Sequence, residues 1–301
     1  MFNLITTPNS IYETIHSHCG YINLPNFYAG TKTIDVFLIG GQSNASGQGI
    51  VKNIPASFQI NHDVLFYYSK FLNQGEGSET WKELCQASEN KEKFGVELSM
   101  GTALKKYFPD KNIALVKHAL SGSTLYNQWN PGNRTAEKRG PEYEKFMQTV
   151  NASLQKLKEM GYQPVIRAMV WQQGEADARE SSGLNNSQRY GHNLRNFIIQ
   201  LRQNLQSSDM LFVYGEVLPL PAARFPGRDM VRKAQIQVSE EAHTTLSVKN
   251  TVLIEGDDLQ MKRTDYHTPV PHDDVHLGTF GILTLGERFA KAIYERSENW
   301  K

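Results

Sequence analysis

The sequence is poor in cysteine, in long apolar runs and in any excess of one charge. Its 2 cysteines, Cys19 and Cys85, do not stand in a C-x-x-C pair. Zinc–thiolate sites and dithiol redox chemistry therefore get no support. Two structural thiols are expected, and spacing leaves a disulfide between them open. No apolar run approaches the ~20 residues that cross a bilayer, so no membrane-spanning helix is expected. The charges nearly cancel, with 32 Lys and Arg against 31 Asp and Glu. No basic stripe points to nucleic acid, and no acidic tract reads as a solvating tail. The opening MFNLITTPNSIYETIHSHCG lacks the positive and apolar regions of a signal peptide. A cytoplasmic protein is expected from the sequence as written, or a secreted one if a precursor signal has been removed. Neither an internal repeat nor a low-complexity segment occurs.

Short apolar runs do alternate with amphipathic stretches. Residues 34–39, 113–116, 165–171, 211–214 and 251–254 are rich in β-branched and aromatic residues and read as strands. Pro141 suits the first position of a helix, where its missing N–H costs nothing. Phe146, Val150, Leu154 and Leu157 follow at helical spacing, and Gly161 closes the run. Residues 189–205, 230–243 and 280–297 read as further helices. The segments 49–63 and 70–95 are polar with few clear periods, while 126–140 and 218–229 read as loops. Such alternation predicts an α/β fold, a parallel sheet with helices on both faces and right-handed crossovers. One domain over 1–301 is expected, with 1–33 as an N-terminal extension packing on it.

In such sheets functional residues gather beyond the carboxyl ends of the strands. Four loops deserve comparison. IDVFLIGGQSNASGQG, residues 34–49, runs from a buried strand through two glycines to Ser43, between Gln42 and Asn44. A serine on such a turn can expose both its hydroxyl and its own N–H. It equally fits a helix N-cap. ALSGSTLYNQW, residues 119–129, bends at Gly122, whose N–H can meet a developing oxyanion. An ordinary turn glycine is the alternative. VWQQGEADA, residues 170–178, offers Gln173, Glu175 and Asp177, which also suit a solvated loop or a helix cap. PHDDVHLGTFG, residues 271–281, sets Asp273 three residues before His276, close enough to orient its imidazole. By spacing alone, a polar turn ranks above catalysis there, and catalysis above metal binding through His272, Asp273, Asp274 and His276. The convergence of all four loops on one sheet edge favours a site.

The blocks GQSNASG, GVELSMGTAL, SGSTLYNQW, QQGEADA and DDVH, in this order, resemble those of the SGNH hydrolase superfamily. More narrowly they resemble its sialate O-acetylesterase and acetylxylan esterase branch, carbohydrate esterase family 6, over roughly residues 34 to 296. The resemblance implies a flavodoxin-like three-layer α/β/α sandwich with about five parallel strands. It implies Ser43 as nucleophile, His276 as base and Asp273 as its partner, with Glu175 as rival acid. It implies oxyanion donors from the Ser43 and Gly122 N–H groups. Most of the superfamily supplies a third donor from an asparagine in G-x-N-D. Here the block is QGE, and Gln173 is the stand-in. Gln42 and Asn44 are expected to hold the serine turn by hydrogen bonds to neighbouring loops.

The activity expected is removal of O-acetyl groups from carbohydrate, either acetylated xylan or O-acetyl sialic acid, through an acetyl-serine. No metal or organic cofactor is required, and a histidine base predicts loss of rate toward pH ~6–7. Trp129 and Tyr126 are candidates to stack on sugar, while Trp171 reads as core. One of Arg134, Arg224 and Arg228 could pair with a sugar carboxylate. A lipid or thioester hydrolase and a non-catalytic carbohydrate-binding protein are the alternatives. The sequence says nothing of oligomeric state.

Overall fold

The structure is a computed structural model, and its described residues are 32–132, 138–218, 220–221, 223–298 and 300. Cys19, Arg134 and nearly all of the expected N-terminal extension lie outside them. Cys85 is a half-buried free thiol.

A seven-stranded sheet forms the middle layer. The strands are β1 (Lys32–Gly41), β3 (Val64–Tyr68), β4 (Lys82–Glu83), β6 (Asn112–Ala119), β7 (Tyr162–Gln172), β8 (Leu211–Gly215) and β9 (Thr251–Ile254). The two-residue strands β2 (Gly49–Ile50) and β5 (Lys93–Phe94) pair separately. The order across the main sheet is β4-β3-β6-β1-β7-β8-β9. Only β4 runs antiparallel.

The five strands read from the sequence are β6-β1-β7-β8-β9, in the flavodoxin order 2-1-3-4-5. The structure adds β3 and β4 at one edge, so six strands are parallel rather than five. Val64–Tyr68 is short and lies between polar segments. It becomes a strand through pairing with β6.

Helices close both faces. Along β1, Val36 and Leu38 enter one core and Phe37 and Ile39 the other, the alternation expected of a strand buried on both sides. α3 (Pro141–Glu159), α5 (Leu184–Asn204) and α6 (Arg228–Val238) cover the first face through Phe146, Leu194, Phe197 and Val231. α2 (Glu97–Tyr107) and α7 (Thr279–Glu295) cover the second through Leu98, Leu104, Ile282 and Phe289. Burying each such side chain contributes ~1.5–3 kcal/mol. α2 escapes a periodicity reading because Glu97 and Ser99 are buried beside its apolar residues. α5 begins five residues earlier than expected, since its first turns are polar yet bury Asn186 and Ser187. α6 stops at Val238, and residues 240–242 form a separate 3-10 turn.

In open sheets a crevice forms where neighbouring crossovers diverge, beyond the carboxyl ends of the strands. Here that point lies beside β1. The one-turn helix α1 (Ser43–Ser46) follows β1, Ser121 and Gly122 follow β6, and α4 (Glu175–Ala178) follows β7.

Candidate active site

The serine turn depends on Gly41. Its φ is +138°, and a Cβ there would sit 2.2 Å from Gln172 O, so no side chain fits against β7. Gln42 N donates to Gln172 O at 3.0 Å, and Gln42 O accepts from Ala45 N at 2.9 Å and Ser46 N at 2.6 Å. α1 therefore opens with Ser43 in its first turn, where N–H groups have no intrahelical partner. Across the pocket Gly122 has φ +71° in open space, so backbone conformation rather than crowding calls for glycine. Ser121 N donates to Glu89 Oε1 at 2.6 Å, which pins this bend. Among the described residues neither Ser43 N–H nor Gly122 N–H has an acceptor.

His276 Nε2 lies 3.1 Å from Ser43 Oγ across 233 positions of sequence. Its Nδ1 lies 2.8 Å from Asp273 Oδ2. A carboxylate only accepts, so Nδ1 carries the proton and Nε2 is left to accept from the serine hydroxyl. Asp273 Oδ1 also accepts from His276 N at 3.0 Å and Val275 N at 3.2 Å. Burial works against ionisation of Asp273, but the bonds from His276 and Val275 outweigh it and bring the carboxyl down to about 2. It is therefore a fixed anion near neutral pH. Such a relay can draw a proton from a serine hydroxyl and hold the resulting imidazolium.

Beneath the relay, side-chain amides tie the loops together. Asn44 Nδ2 donates to Glu175 Oε1 at 2.7 Å and Val275 O at 3.2 Å, while its Oδ1 accepts from Leu277 N at 3.0 Å. The serine turn and the histidine segment are thus locked in register. Gln42 Oε1 accepts from Ala176 N at 3.0 Å and Gly174 N at 3.4 Å. Backbone N–H groups can only donate, so the amide oxygen of Gln42 faces them, and Gln42 is also a lining residue of the pocket.

Three expectations need correction. Gln173 does not reach the pocket: its Nε2 donates to Asp177 Oδ2 at 2.6 Å, Ser123 O at 3.1 Å and Gln42 Oε1 at 3.3 Å. Those buried acceptors consume its donors, whereas Gln42 lines the pocket. Glu175 makes no hydrogen bond to His276. It is fully buried behind Asn44, its Oε2 has no partner, and desolvation pushes its carboxyl up against the pull of Asn44 and His276. Trp129 is core, 0% exposed, with its ring edge-on to Trp171 and its Nε1 donating to Ser123 Oγ at 2.8 Å. As expected, Trp171 is core too. Asp177 is buried and accepts from Leu125 N at 2.7 Å and Tyr126 N at 3.0 Å, yet desolvation still raises its carboxyl to about 6. Among the described residues no group of three or more His, Cys, Asp or Glu could hold a metal ion. Asp274 points away to Arg263, 2.9 Å distant.

Sequence reasoning missed a buried ion pair under the serine turn. Lys117 Nζ donates to Glu97 Oε2 at 2.5 Å, Ala87 O at 2.6 Å and Ser46 O at 2.9 Å. Glu97 Oε1 accepts from Gly95 N at 2.9 Å and Ala87 N at 3.0 Å. The available signal was a lysine inside the apolar run of β6.

The Ser43 pocket has a volume of about 470 Å³ and is lined by Gln42, Ser43, Gly122, Glu175 and His276, with Arg179, Arg224 and His272 on its wall. A larger cavity of about 710 Å³, between residues 125–131 and α5, contains none of the relay. Over residues 33–295 the sequence matches the family of carbohydrate esterases described as sialic acid-specific acetylesterases. The chain belongs to that family. As a member of it the chain is a carbohydrate acetylesterase. No curated protein sequence matches it. Solved structures similar to this esterase include a protein from Arabidopsis thaliana, at 21% identity and TM-score 0.64 over 88% of this chain and 99% of that one. NanS is similar at 15% identity and TM-score 0.61, over 88% and 98% of the two chains. A carbohydrate acetylesterase from Xanthomonas citri is similar at 16% identity and TM-score 0.55, over 88% and 57%. These likenesses show a shared fold.

Proposed function

We propose that this esterase deacetylates sugars through an acetyl-serine intermediate on Ser43. His276 Nε2 takes the hydroxyl proton as Oγ attacks the acetyl carbonyl carbon. The carbonyl oxygen becomes an oxyanion facing Ser43 N–H, Gly122 N–H and Gln42 Nε2. Each such donor contributes ~3 kcal/mol to lowering a barrier of this kind. Collapse breaks the bond to the sugar oxygen, which leaves with the proton from His276. Water then gives His276 a proton, attacks the acetyl-serine and releases acetate by the reverse sequence. Asp273 keeps the imidazole in the required tautomer throughout.

The supporting observation is the relay itself, 3.1 Å from Ser43 Oγ to His276 Nε2 and 2.8 Å from Nδ1 to Asp273. Acetate release from 4-nitrophenyl acetate, acetylated xylooligosaccharide and O-acetyl sialic acid tests the reading. The Ser43→Ala variant is expected to lose about 10⁴-fold or more in kcat. Equal rates in the two proteins would remove Ser43 from the mechanism. Rates that climb with acyl chain length would move the assignment to a lipid or thioester hydrolase.

A further inference from the structure

Two loops wall one side of the Ser43 pocket. One carries Arg179 just after α4, and the other carries Arg224 just before α6. Gly227 N donates to Ala178 O at 3.0 Å, and Glu180 N donates to Arg224 O at 3.0 Å. The loops thus run as a short pair from which Arg179 and Arg224 both line the cavity. Both guanidinium groups rest on one ring: Arg179 Cζ is 5.7 Å and Arg224 Cζ 5.2 Å from the centroid of Phe225. Phe225 is itself buried, so the platform under the two cations is rigid.

Neither cation is matched by an acid among the described residues. Arg167, Arg232, Arg263, Arg288 and Arg296 each pair with a carboxylate. The acids that line the pocket with Arg179 and Arg224 are committed elsewhere, Asp273 to His276 and Glu175 to Asn44. His272 lines the same cavity and adds no negative charge. Two like charges held together in a concave wall repel each other, and an anion between them relieves that repulsion. Planar guanidinium forks match a planar carboxylate in geometry as well as charge.

We propose that Arg179 and Arg224 form a carboxylate-recognition pair, which selects acetylated acidic sugars over neutral ones at the Ser43 site. The proposal rests on the esterase reading above. In it the sugar carboxylate docks on the arginine wall while the acetyl ester reaches Ser43. The selectivity then comes from the wall loops and not from the relay.

The test compares an O-acetylated acidic sugar, its methyl ester, acetylated xylooligosaccharide and 4-nitrophenyl acetate. The enzymes are wild type, Arg179→Gln, Arg224→Gln and Arg224→Lys. Wild type is expected to favour the free acid over its methyl ester by about tenfold or more in kcat/KM. Each glutamine variant should lose most of that preference through KM, by a factor exceeding any loss on 4-nitrophenyl acetate. Arg224→Lys should restore part of it, because charge returns without the fork. Equal use of acid and methyl ester by wild type would overturn the proposal and leave the esterase reading intact. So would losses of the same factor on every substrate. If wild type cleaves no ester, the esterase reading fails, and calorimetric titration of Ser43→Ala with N-acetylneuraminate and glucuronate decides the pair. Weaker binding in Ser43→Ala/Arg224→Gln than in Ser43→Ala supports it, and equal or absent binding overturns it.

Discussion

Beneath the Ser43 pocket, Gln42, Asn44, Gln173 and Asp177 spend buried polar atoms binding one loop to another. On its wall stand Arg179, Arg224 and His272, and among the described residues neither arginine forms an ion pair with an acid. The cavity thus joins loops bonded to one another to a wall whose two arginines have no ion pair among the described residues. The physical lesson concerns preorganisation. Groups that must act on a charge developing during reaction are held in advance by other groups. Groups that recognise a charge already on the substrate need only be rigid and unpaired.

The largest effect is expected where the bonded loops meet His276. Asp273→Asn leaves the shape intact but removes the anion at Nδ1. It is expected to lower kcat on 4-nitrophenyl acetate by ~10³–10⁴-fold with little change in melting temperature. A loss under tenfold would return the orienting role to Glu175. Next in size is Lys117→Met, which leaves Glu97 as a buried charge without its partner. The expected cost is ~3–5 kcal/mol in urea unfolding. A small change would mean that Lys117 and Glu97 do not support the bonded loops.

Gln42→Ala separates the two glutamine amides. It should cost ~10²–10³-fold in kcat, as loss of an oxyanion donor does. If Gln42→Ala is mild and Gln173→Ala severe, the corrected assignment of the third donor is wrong.

The smallest effect expected is a pH dependence of stability from Asp177. Its carboxyl is raised to about 6 in the folded protein by burial, above its unfolded value near 4. The folded state therefore holds that proton more tightly than the unfolded state does. Stability from this group is greatest below pH ~4 and falls as pH rises through ~6, by on the order of 2 kcal/mol in all. Asp177→Asn should lower stability overall, since it gives up an acceptor for the Leu125, Tyr126 or Gln173 donors. It should also flatten the slope between pH 4 and 7, and an unchanged slope would assign it to other groups.

Much of the fold was legible because its evidence is local. The five strands of the flavodoxin core are apolar runs buried on both faces, and such runs read the same in any order of pairing. β3 was not legible, because five residues between polar segments become a strand only when β6 lies beside them. α2 was hidden by Glu97, a charge that is buried only because Lys117 arrives from β6.

The site divides along the same line. The Gly41–Ser43 turn and the Asp273–His276 spacing are local geometry, so both could be read from the chain. The direction in which each amide points was not. Gln173 looked like a pocket donor until Asp177 and Ser123 supplied acceptors on its inner side. Trp129 looked like a sugar platform until Trp171, Phe146 and Phe197 closed around it.

By itself the sequence determined the layered α/β class, the strand ends at which polar residues gather and the residue types available there. Those follow from periodicity, glycine conformation and the chemistry of side chains, all of which act over a few neighbouring positions. Only the tertiary structure decided that Ser43 meets His276, that Gln42 rather than Gln173 lines the pocket, and that two arginines from distant loops share one phenylalanine. A hydrogen bond or an uncompensated charge is defined by what stands within a few ångströms of it, and in this chain those neighbours come from far along the sequence.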